Sequence, residues 1–305
     1  MNPVVRWFHQ LGSPPYFDRF SARWAPVAHG LGLLVMAYGL YGALFVVPAD
    51  YQQGDSFRIL YIHVPSAWMS MATFALMAIY AAIALIWRIK LCEILAMACA
   101  PIGAAFTLIT LATGSIWGKP MWGTWWDWDP RLTTELILLF LYLGVIGLYN
   151  AIDDRRSAAR AAGLLAIVGV VLLPVIHYSV TWWNSLHQGQ TISLFGKSHM
   201  DASMLPPLWA MVIGTHVWFF GSLLARARRQ PAPRSRQGLG REVGQGAIVS
   251  YRDYVIAAYG VFAVVMLWDF FAPHIAIRQH VRAARLRAAR MASNAKESGF
   301  PLSRE

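Results

Sequence analysis

The chain has 305 residues, of which 57% are hydrophobic and only 13% are charged. A soluble domain carries about a quarter charged residues, so this composition excludes an ordinary soluble protein and predicts one that is embedded in a lipid bilayer. The net charge of +11 is explained by basic loops that orient membrane spans, and no nucleic-acid partner is expected.

Six apolar segments are long enough to cross a bilayer, which takes about 20 residues. These segments cover residues 26–47, 65–87, 94–116, 133–150, 161–181 and 204–225. A seventh apolar segment, near residues 254–273, is set apart by a Pro-, Gly- and Arg-rich stretch that is typical of a flexible linker. We predict an all-α membrane protein: a six-transmembrane-helix bundle with outer loops that form a ligand site, and a seventh single span.

The charged residues predict the orientation of the six spans. The segments before the first span and after the second, fourth and sixth are basic, whereas loops 48–64, 117–132 and 182–203 hold few positive charges. The positive-inside rule then places the N-terminus in the cytoplasm and these three loops outside. A seventh crossing would put the Arg-rich tail RQHVRAARLRAARMA outside, against this rule. Either the tail is forced outside, or the sequence joins two reading frames that are separate in the cell.

The most unusual stretch has five tryptophans within twelve residues, from Trp117 to Trp128. Nearby glycines and prolines are expected to break any long helix, so the sequence predicts a shaped loop at the outer membrane interface. Tryptophan is enriched at headgroup depth in many membrane proteins, and a belt of this kind is one interpretation. The other is a platform for a large, flat, apolar ligand, because aromatic faces stack well on such molecules.

Two histidines are expected on the same side of the membrane as this loop. His63 ends the loop before the second span, two residues ahead of Pro65, which is a favoured residue at helix starts. His187 lies in the third outer loop, beside Trp182 and Trp183. Two imidazoles on opposite faces of one porphyrin would hold its iron. The alternative is that each is a solvated polar side chain. No role is assigned to His177 or His216.

The remaining charged residues near the loop leave two interpretations open. Arg131 has the fork geometry that pairs with carboxylates such as haem propionates. Alternatively, Asp129 and Arg131 form a turn that caps the fourth span, and both roles are compatible. Glu135 is interpreted as part of the same helix start. The chain has no Walker motif and no CxxCH, so it is expected neither to hydrolyse ATP nor to attach haem covalently.

With these residues in place, the sequence strongly resembles the WWD family of haem-handling proteins, and within it the CcmC proteins of the bacterial cytochrome c maturation system. The resemblance runs over residues 20–225, and it is carried by RILYIHVPSAWMS, ATGSIWGKPMWGTWWDWDPRLTTELILLFLYLG, YNAIDDRRSAARAAG and LPVIHYSVTWWNSLHQG. Residues 251–291 resemble CcmD, a single span with a basic tail. The implied domains are a haem-handling domain at 1–225, a linker at 226–250 and a CcmD-like segment at 251–305.

The resemblance implies that non-covalent haem b is held at the periplasmic face of the bacterial inner membrane, with His63 and His187 as axial ligands. The implied platform is Trp117, Gly118, Trp122, Gly123, Trp125, Trp126, Trp128, Asp129 and Arg131. It also implies delivery of haem to the chaperone CcmE during cytochrome c biogenesis, rather than enzymatic catalysis. The implied partners are CcmD, fused here, and the complex CcmA–CcmB, whose ATP hydrolysis releases the loaded chaperone.

Two other functions are weighed against delivery. A WWD-type cytochrome c synthase forms the thioether bonds itself, but such proteins have larger outer domains than the short loops of this sequence provide. A haem transporter with its own pore would need polar, broken helices at mid-membrane, and the six spans are mostly uninterrupted apart from Pro101 and Pro174.

Overall fold

The computed structural model of the protein describes residues 14–183, 185–187, 189 and 200–229. Regular secondary structure in these residues is helical, and they contain no β-strand. Six helical segments among them are long and apolar enough to cross a membrane, which confirms the predicted all-α, six-span architecture. The predicted seventh span and basic tail lie outside the described residues, and so does the predicted linker from residue 230 onward, whereas its residues 226–229 form the end of the last helix.

Seven α-helices and three shorter helical turns make up these spans. The helices are α1 (Pro14–Tyr41), α2 (Leu60–Trp87), α3 (Lys90–Trp122), α4 (Pro130–Ala151), α5 (Arg155–Gly169), α6 (Leu172–Trp182) and α7 (Leu205–Arg229). A π-helical turn, Gly42–Val46, extends α1, and 3₁₀ turns at Asp55–Ile59 and Ala202–Met204 precede α2 and α7. Helices form here because the bilayer offers the backbone no water, so each segment must satisfy its own hydrogen bonds.

The fifth span differs from the others because it is broken into α5 and α6. Pro174 has no N–H, and its ring crowds the carbonyl of Val170, four residues earlier. At the break, the amides of Val170 and Val171 reach carbonyls three residues back, at 3.3 and 3.4 Å. Pro101, in contrast, lies within the continuous helix α3. Helix α6 packs against α4, and the Ile176 carbonyl on α6 accepts from Arg131 near the start of α4.

Helices α1 and α7 meet along a row of glycines. Gly32 and Gly39 on α1 lie close to α7, and Gly214 and Gly221 on α7 lie close to α1, with the two glycines of each helix seven positions apart. A Cβ atom on Gly32 would lie 2.8 Å from the backbone nitrogen of Trp218 and 2.9 Å from the Gly214 carbonyl. Small residues of this kind let helix backbones approach closely in membranes. Glycine is therefore required for this packing.

Helices α2, α3 and α4 are joined by a core centred on Tyr142. Its ring packs edge-on against Phe74, with 5.0 Å between the ring centres, and its hydroxyl donates to the Ser70 carbonyl at 2.7 Å. Gly103 on α3 makes room for this ring, because a Cβ there would lie 2.1 Å from the Tyr142 hydroxyl oxygen. This core fixes the three helices that carry most of the candidate site.

Candidate functional site

A cleft opens between α2, α3 and α4 at the end of the bundle where α3 ends and α4 begins. It encloses about 680 Å³ of atom-free space, including the part that is open to solvent. Most of its lining is apolar or aromatic, such as Leu111, Met121 and Leu132 on α3 and α4. The described part of the chain also contributes four ionisable side chains to the lining: His63, Arg131, Glu135 and His187.

His63 lies inside a helix, and its predicted position in a loop was wrong. Helix α2 begins at Leu60, directly after the 3₁₀ turn, and continues through Pro65. The proline is tolerated because it removes only the bond to the Tyr61 carbonyl, close to the helix start. His63 is 8% exposed, so its imidazole is held by packing.

The hydrogen bonds of Thr113 determine which nitrogen of His63 carries the proton. The Thr113 hydroxyl donates its single proton to the Ile109 carbonyl at 2.6 Å. Its oxygen lies 3.0 Å from His63 Nδ1, and it acts there as the acceptor. The imidazole is therefore protonated at Nδ1, which leaves the Nε2 lone pair as the available metal donor.

The His187 ring lies close to that of His63. The two ring centres are 6.3 Å apart, with an angle of 34° between the ring planes. A metal bond to an imidazole nitrogen is about 2 Å long and the ring centre lies about 1 Å further back, so two imidazoles on one metal have centres roughly 6 Å apart. The separation in this structure therefore matches two imidazoles that share a single metal atom.

Asp129 anchors the loop that carries His187. Its Oδ1 accepts from the Arg131 backbone N–H at 2.8 Å and so caps α4, which is one of the two roles that the sequence left open. Its Oδ2 accepts from the backbone N–H of Leu186, next to His187, at 2.9 Å. Ser185 adds a further contact, since its Oγ accepts from the His187 backbone N–H at 3.0 Å. One buried carboxylate thus holds both the start of α4 and this loop.

Arg131 and Glu135 provide the charges of the cleft. The Arg131 guanidinium donates to the Ile176 carbonyl of α6 at 2.7 Å, and this uses one of its five N–H donors. Glu135 is 4% exposed and accepts from the Ser70 hydroxyl at 2.6 Å. Sequence reasoning assigned Glu135 to the helix start alone. A carboxylate inside a membrane span was the signal that would have indicated a role in the cleft.

The tryptophan-rich segment is only partly a loop, contrary to the prediction. Helix α3 continues to Trp122 and includes Gly118 and Pro120. The helix ends at Gly123, which adopts a left-handed φ of 79° and donates its N–H to the Lys119 carbonyl at 3.1 Å. Glycine adopts this conformation without steric cost, and Pro120 removes only one helical hydrogen bond. Gly123 is therefore the residue that ends the helix.

The five tryptophans separate into two groups. Trp117 and Trp122, on the last turns of α3, line the cleft. Trp125, Trp126 and Trp128 lie in the connection to α4, outside that lining, and Trp125 is 58% exposed. Trp126 and Trp128 pack edge-on with 5.6 Å between their ring centres. Two of the five tryptophans of the predicted platform therefore line the cleft.

Two neighbours position the tryptophans that line the cleft. A Cβ atom on Gly118 would lie 2.9 Å from the ring of Trp122, so glycine gives this indole its space. Gln53, in the connection between α1 and α2, accepts from the Trp117 indole N–H at 3.1 Å. The Trp117 ring in turn lies edge-on to His63, at 5.7 Å. Neither Gln53 nor Thr113 was predicted, because each depends on a contact between distant segments.

The chain is similar to known proteins over most of its length. A family model described as Heme exporter protein C matches residues 7–240, and one described as Heme exporter protein D (CcmD) matches residues 251–292. Heme exporter protein C of Haemophilus influenzae is 48% identical over 225 residues, covering 74% of this chain and 92% of the relative. The protein of the same name from Escherichia coli K12 is 52% identical over 206 residues, covering 68% and 83%. A putative cytochrome c biosynthesis ccmC-like mitochondrial protein of Marchantia polymorpha is 43% identical, covering 64% and 83%.

Proposed function

The chain belongs to the heme exporter protein C family, and from that premise we propose that it binds haem in the cleft and delivers it to the chaperone CcmE. Family membership supports a role in haem handling for cytochrome c biogenesis, in transport or delivery rather than catalysis. Haem is here the cargo, held non-covalently as haem b between His63 and His187.

The observation that carries this proposal is the 6.3 Å separation of the two imidazole rings. Around them, the apolar lining suits the porphyrin faces, and Trp117 and Trp122 supply aromatic surface. The donors of Arg131 that are not used on Ile176 suit a propionate carboxylate. The residue types that line the cleft therefore support haem as the ligand on chemical grounds.

We also propose a membrane location, an orientation and partner proteins for this chain. The six spans make it a multi-pass membrane protein, and the loop charges support an inner-membrane orientation with a cytoplasmic N-terminus and the cleft facing the periplasm. CcmD, matched within residues 251–292 of the same sequence, and the ATP-hydrolysing complex CcmA–CcmB are the proposed membrane partners. Residues 1–225, 226–250 and 251–305 are the proposed haem-handling domain, linker and CcmD-like segment.

Haem binding by the purified full chain tests the ligand assignment. The wild-type protein should show the absorption spectrum of a low-spin haem with two histidine ligands. His63→Ala and His187→Ala should each abolish this spectrum and the covalent loading of CcmE, whereas His216→Ala should leave both unchanged. His216 is the matched control, because its Nδ1 bonds to the Val212 carbonyl on an exposed face of α7. Normal haem binding by both cleft variants would contradict the assignment.

A second experiment separates delivery from synthesis and from transport. The reconstituted protein is given haem together with either CcmE or apocytochrome c. Covalent attachment to CcmE alone is expected. Attachment to apocytochrome without CcmE would indicate a synthase, and accumulation of haem inside sealed vesicles without CcmE would indicate a transporter with its own pore.

A further inference from the structure

A second cavity lies at the opposite end of the bundle from the haem cleft. It is bounded by the end of α2, the start of α3 and the start of α5, and it encloses about 1020 Å³ of atom-free space, including the part open to solvent. We call it the basic cavity. It contains none of the residues that line the haem cleft.

The basic cavity has an excess of positive charge. Five of its lining residues are basic: Arg88, Lys90, Arg155, Arg156 and Arg160. Among the described residues that line it, two are acidic, Glu93 and Asp154.

Both carboxylates of the basic cavity are already engaged. Glu93 forms an ion pair with Lys90, and Asp154 caps α5 by accepting from the backbone N–H of Ser157 at 2.9 Å and from its hydroxyl at 2.7 Å. Within the described part of the chain, Arg156 and Arg160 form no ion pair. Their charge is therefore available to an external anion.

The space in the basic cavity exists because its floor is built from small residues. Ala81, Ala96 and Ala159 are buried, and they lie beside the larger apolar residues Leu85 and Met97. The cavity thus combines a rim of guanidinium groups with an apolar floor. A soluble anion needs only the rim, whereas a lipid would use both parts.

The depth of the basic cavity agrees with that of a lipid headgroup. Trp87 ends α2 directly before Arg88 and is 65% exposed, as expected for an indole at the membrane–water interface. Arg88 itself has a left-handed φ of 55°, a conformation that glycine or asparagine adopts at lower cost. A long basic side chain therefore occupies a position that disfavours it, and it does so at the edge of the cavity.

We propose that the basic cavity binds the phosphate of an anionic phospholipid, such as phosphatidylglycerol, from the adjacent leaflet. The guanidinium groups of Arg88, Arg156 and Arg160 hold the phosphate, and the alanine floor accommodates the first part of an acyl chain. Basic pockets between transmembrane helices are a recurring type of site for anionic headgroups.

Native mass spectrometry of the purified full chain tests this proposal. The delipidated protein is titrated in detergent with phosphatidylglycerol or with phosphatidylcholine of the same acyl chains. Wild-type protein should retain phosphatidylglycerol preferentially. Arg156→Gln with Arg160→Gln should reduce this retention about tenfold, because two charges next to the phosphate are lost. Arg88→Asn should also reduce it, while asparagine accepts the local backbone conformation.

The matched control is Arg226→Gln with Arg229→Gln, which removes two exposed charges from α7 at the same end of the bundle. This variant should retain phosphatidylglycerol like the wild type, and all variants should elute as folded, monodisperse protein. An equal loss in the control, or no loss in the cavity variants, would overturn the proposal. Displacement of the lipid by millimolar inorganic phosphate would also overturn it, since the site would then be one for a soluble anion.

Discussion

The two histidines of the cleft are held in different ways. His63 lies within the continuous helix α2, is buried, and has its proton position determined by Thr113. His187 lies on a loop between α6 and α7, and a single carboxylate, Asp129, anchors the residue before it. One imidazole is therefore held within a helix of the bundle, whereas the other lies on a loop that the Asp129 carboxylate anchors.

This difference indicates where mutations should act. Because helix packing holds His63 in place, changes around it should alter how well its Nε2 binds a metal rather than where the imidazole lies. Under the proposed function, changes around His187 should alter whether its imidazole reaches the haem.

Asp129→Asn should weaken haem binding most among these variants. Asparagine caps helices well, but it has one acceptor oxygen, so it cannot serve both Arg131 and Leu186. Loss of a hydrogen bond to a charged group is worth about 1.5–3 kcal/mol, or roughly tenfold to a hundredfold in affinity. Haem titration followed by absorbance should show this loss, with a shift from low-spin toward high-spin haem.

Asp201→Asn is the control for this variant, because Asp201 caps only the 3₁₀ turn before α7, where it accepts from the Ser203 backbone N–H. It should bind haem like the wild type. A low-spin spectrum with unchanged affinity in Asp129→Asn would show that His187 does not depend on this anchor.

Thr113→Val should weaken binding through His63. Valine has a similar shape but cannot accept from Nδ1, so the preferred tautomer and the orientation of the ring are lost. Removal of a hydrogen-bond partner behind a metal ligand typically costs 10–100-fold in affinity. The haem titration should show a loss of about tenfold with His63 still bound. Thr113→Ser retains the hydroxyl and should restore most of the affinity; equal losses in both variants would contradict the role of the hydrogen bond.

Gly118→Ala should displace Trp122 without touching either histidine. The added methyl group would lie 2.9 Å from the indole ring and 3.2 Å from the Thr124 carbonyl, and overpacking of this kind costs about 1–3 kcal/mol. We expect haem affinity to fall about fivefold. Gly147→Ala on α4, where an added Cβ meets no atom within 4 Å, should leave affinity unchanged.

Gln53→Leu should have the smallest effect. It removes the acceptor for the Trp117 indole N–H, and an ordinary hydrogen bond contributes about 1 kcal/mol. A loss of about threefold to fivefold in haem affinity is expected from the same titration. The neighbouring variant Gln52→Leu should bind haem like the wild type, since the contact of Gln52 with Asp50 is made by its backbone N–H and not by its side chain. An effect of Gln52→Leu as large as that of Gln53→Leu would contradict this assignment.

Much of the fold could be predicted from apolar periodicity and loop charge, because a bilayer requires long apolar helices. The sequence also predicted that His63, His187 and the tryptophan segment lie at one end of the bundle, and the structure brings them together. Their role as haem ligands stays a prediction. The continuation of α2 and α3 through Pro65 and Pro120 was not predicted. The helices continue because a proline near a helix end removes only one backbone hydrogen bond.

The hydrogen bonds behind the cleft could not be read from the sequence. Leu186 follows Asp129 by 57 residues, and Thr113 follows His63 by 50, so both contacts depend on how whole spans pack. Glu135 is different, because the sequence itself shows that it lies inside an apolar span. An ionisable residue at such a position indicates a functional role.

The glycine row between α1 and α7 has a consequence for biosynthesis. In the described part of the chain, α1 packs chiefly against α7, although one is made first and the other last of the six spans. At a synthesis rate of about 5–20 residues per second, roughly 10–40 seconds pass between the synthesis of Gly32 and that of Gly214. During that interval the glycine face of α1 lies against lipid or an insertion factor, and the bundle closes only when the sixth span enters the membrane.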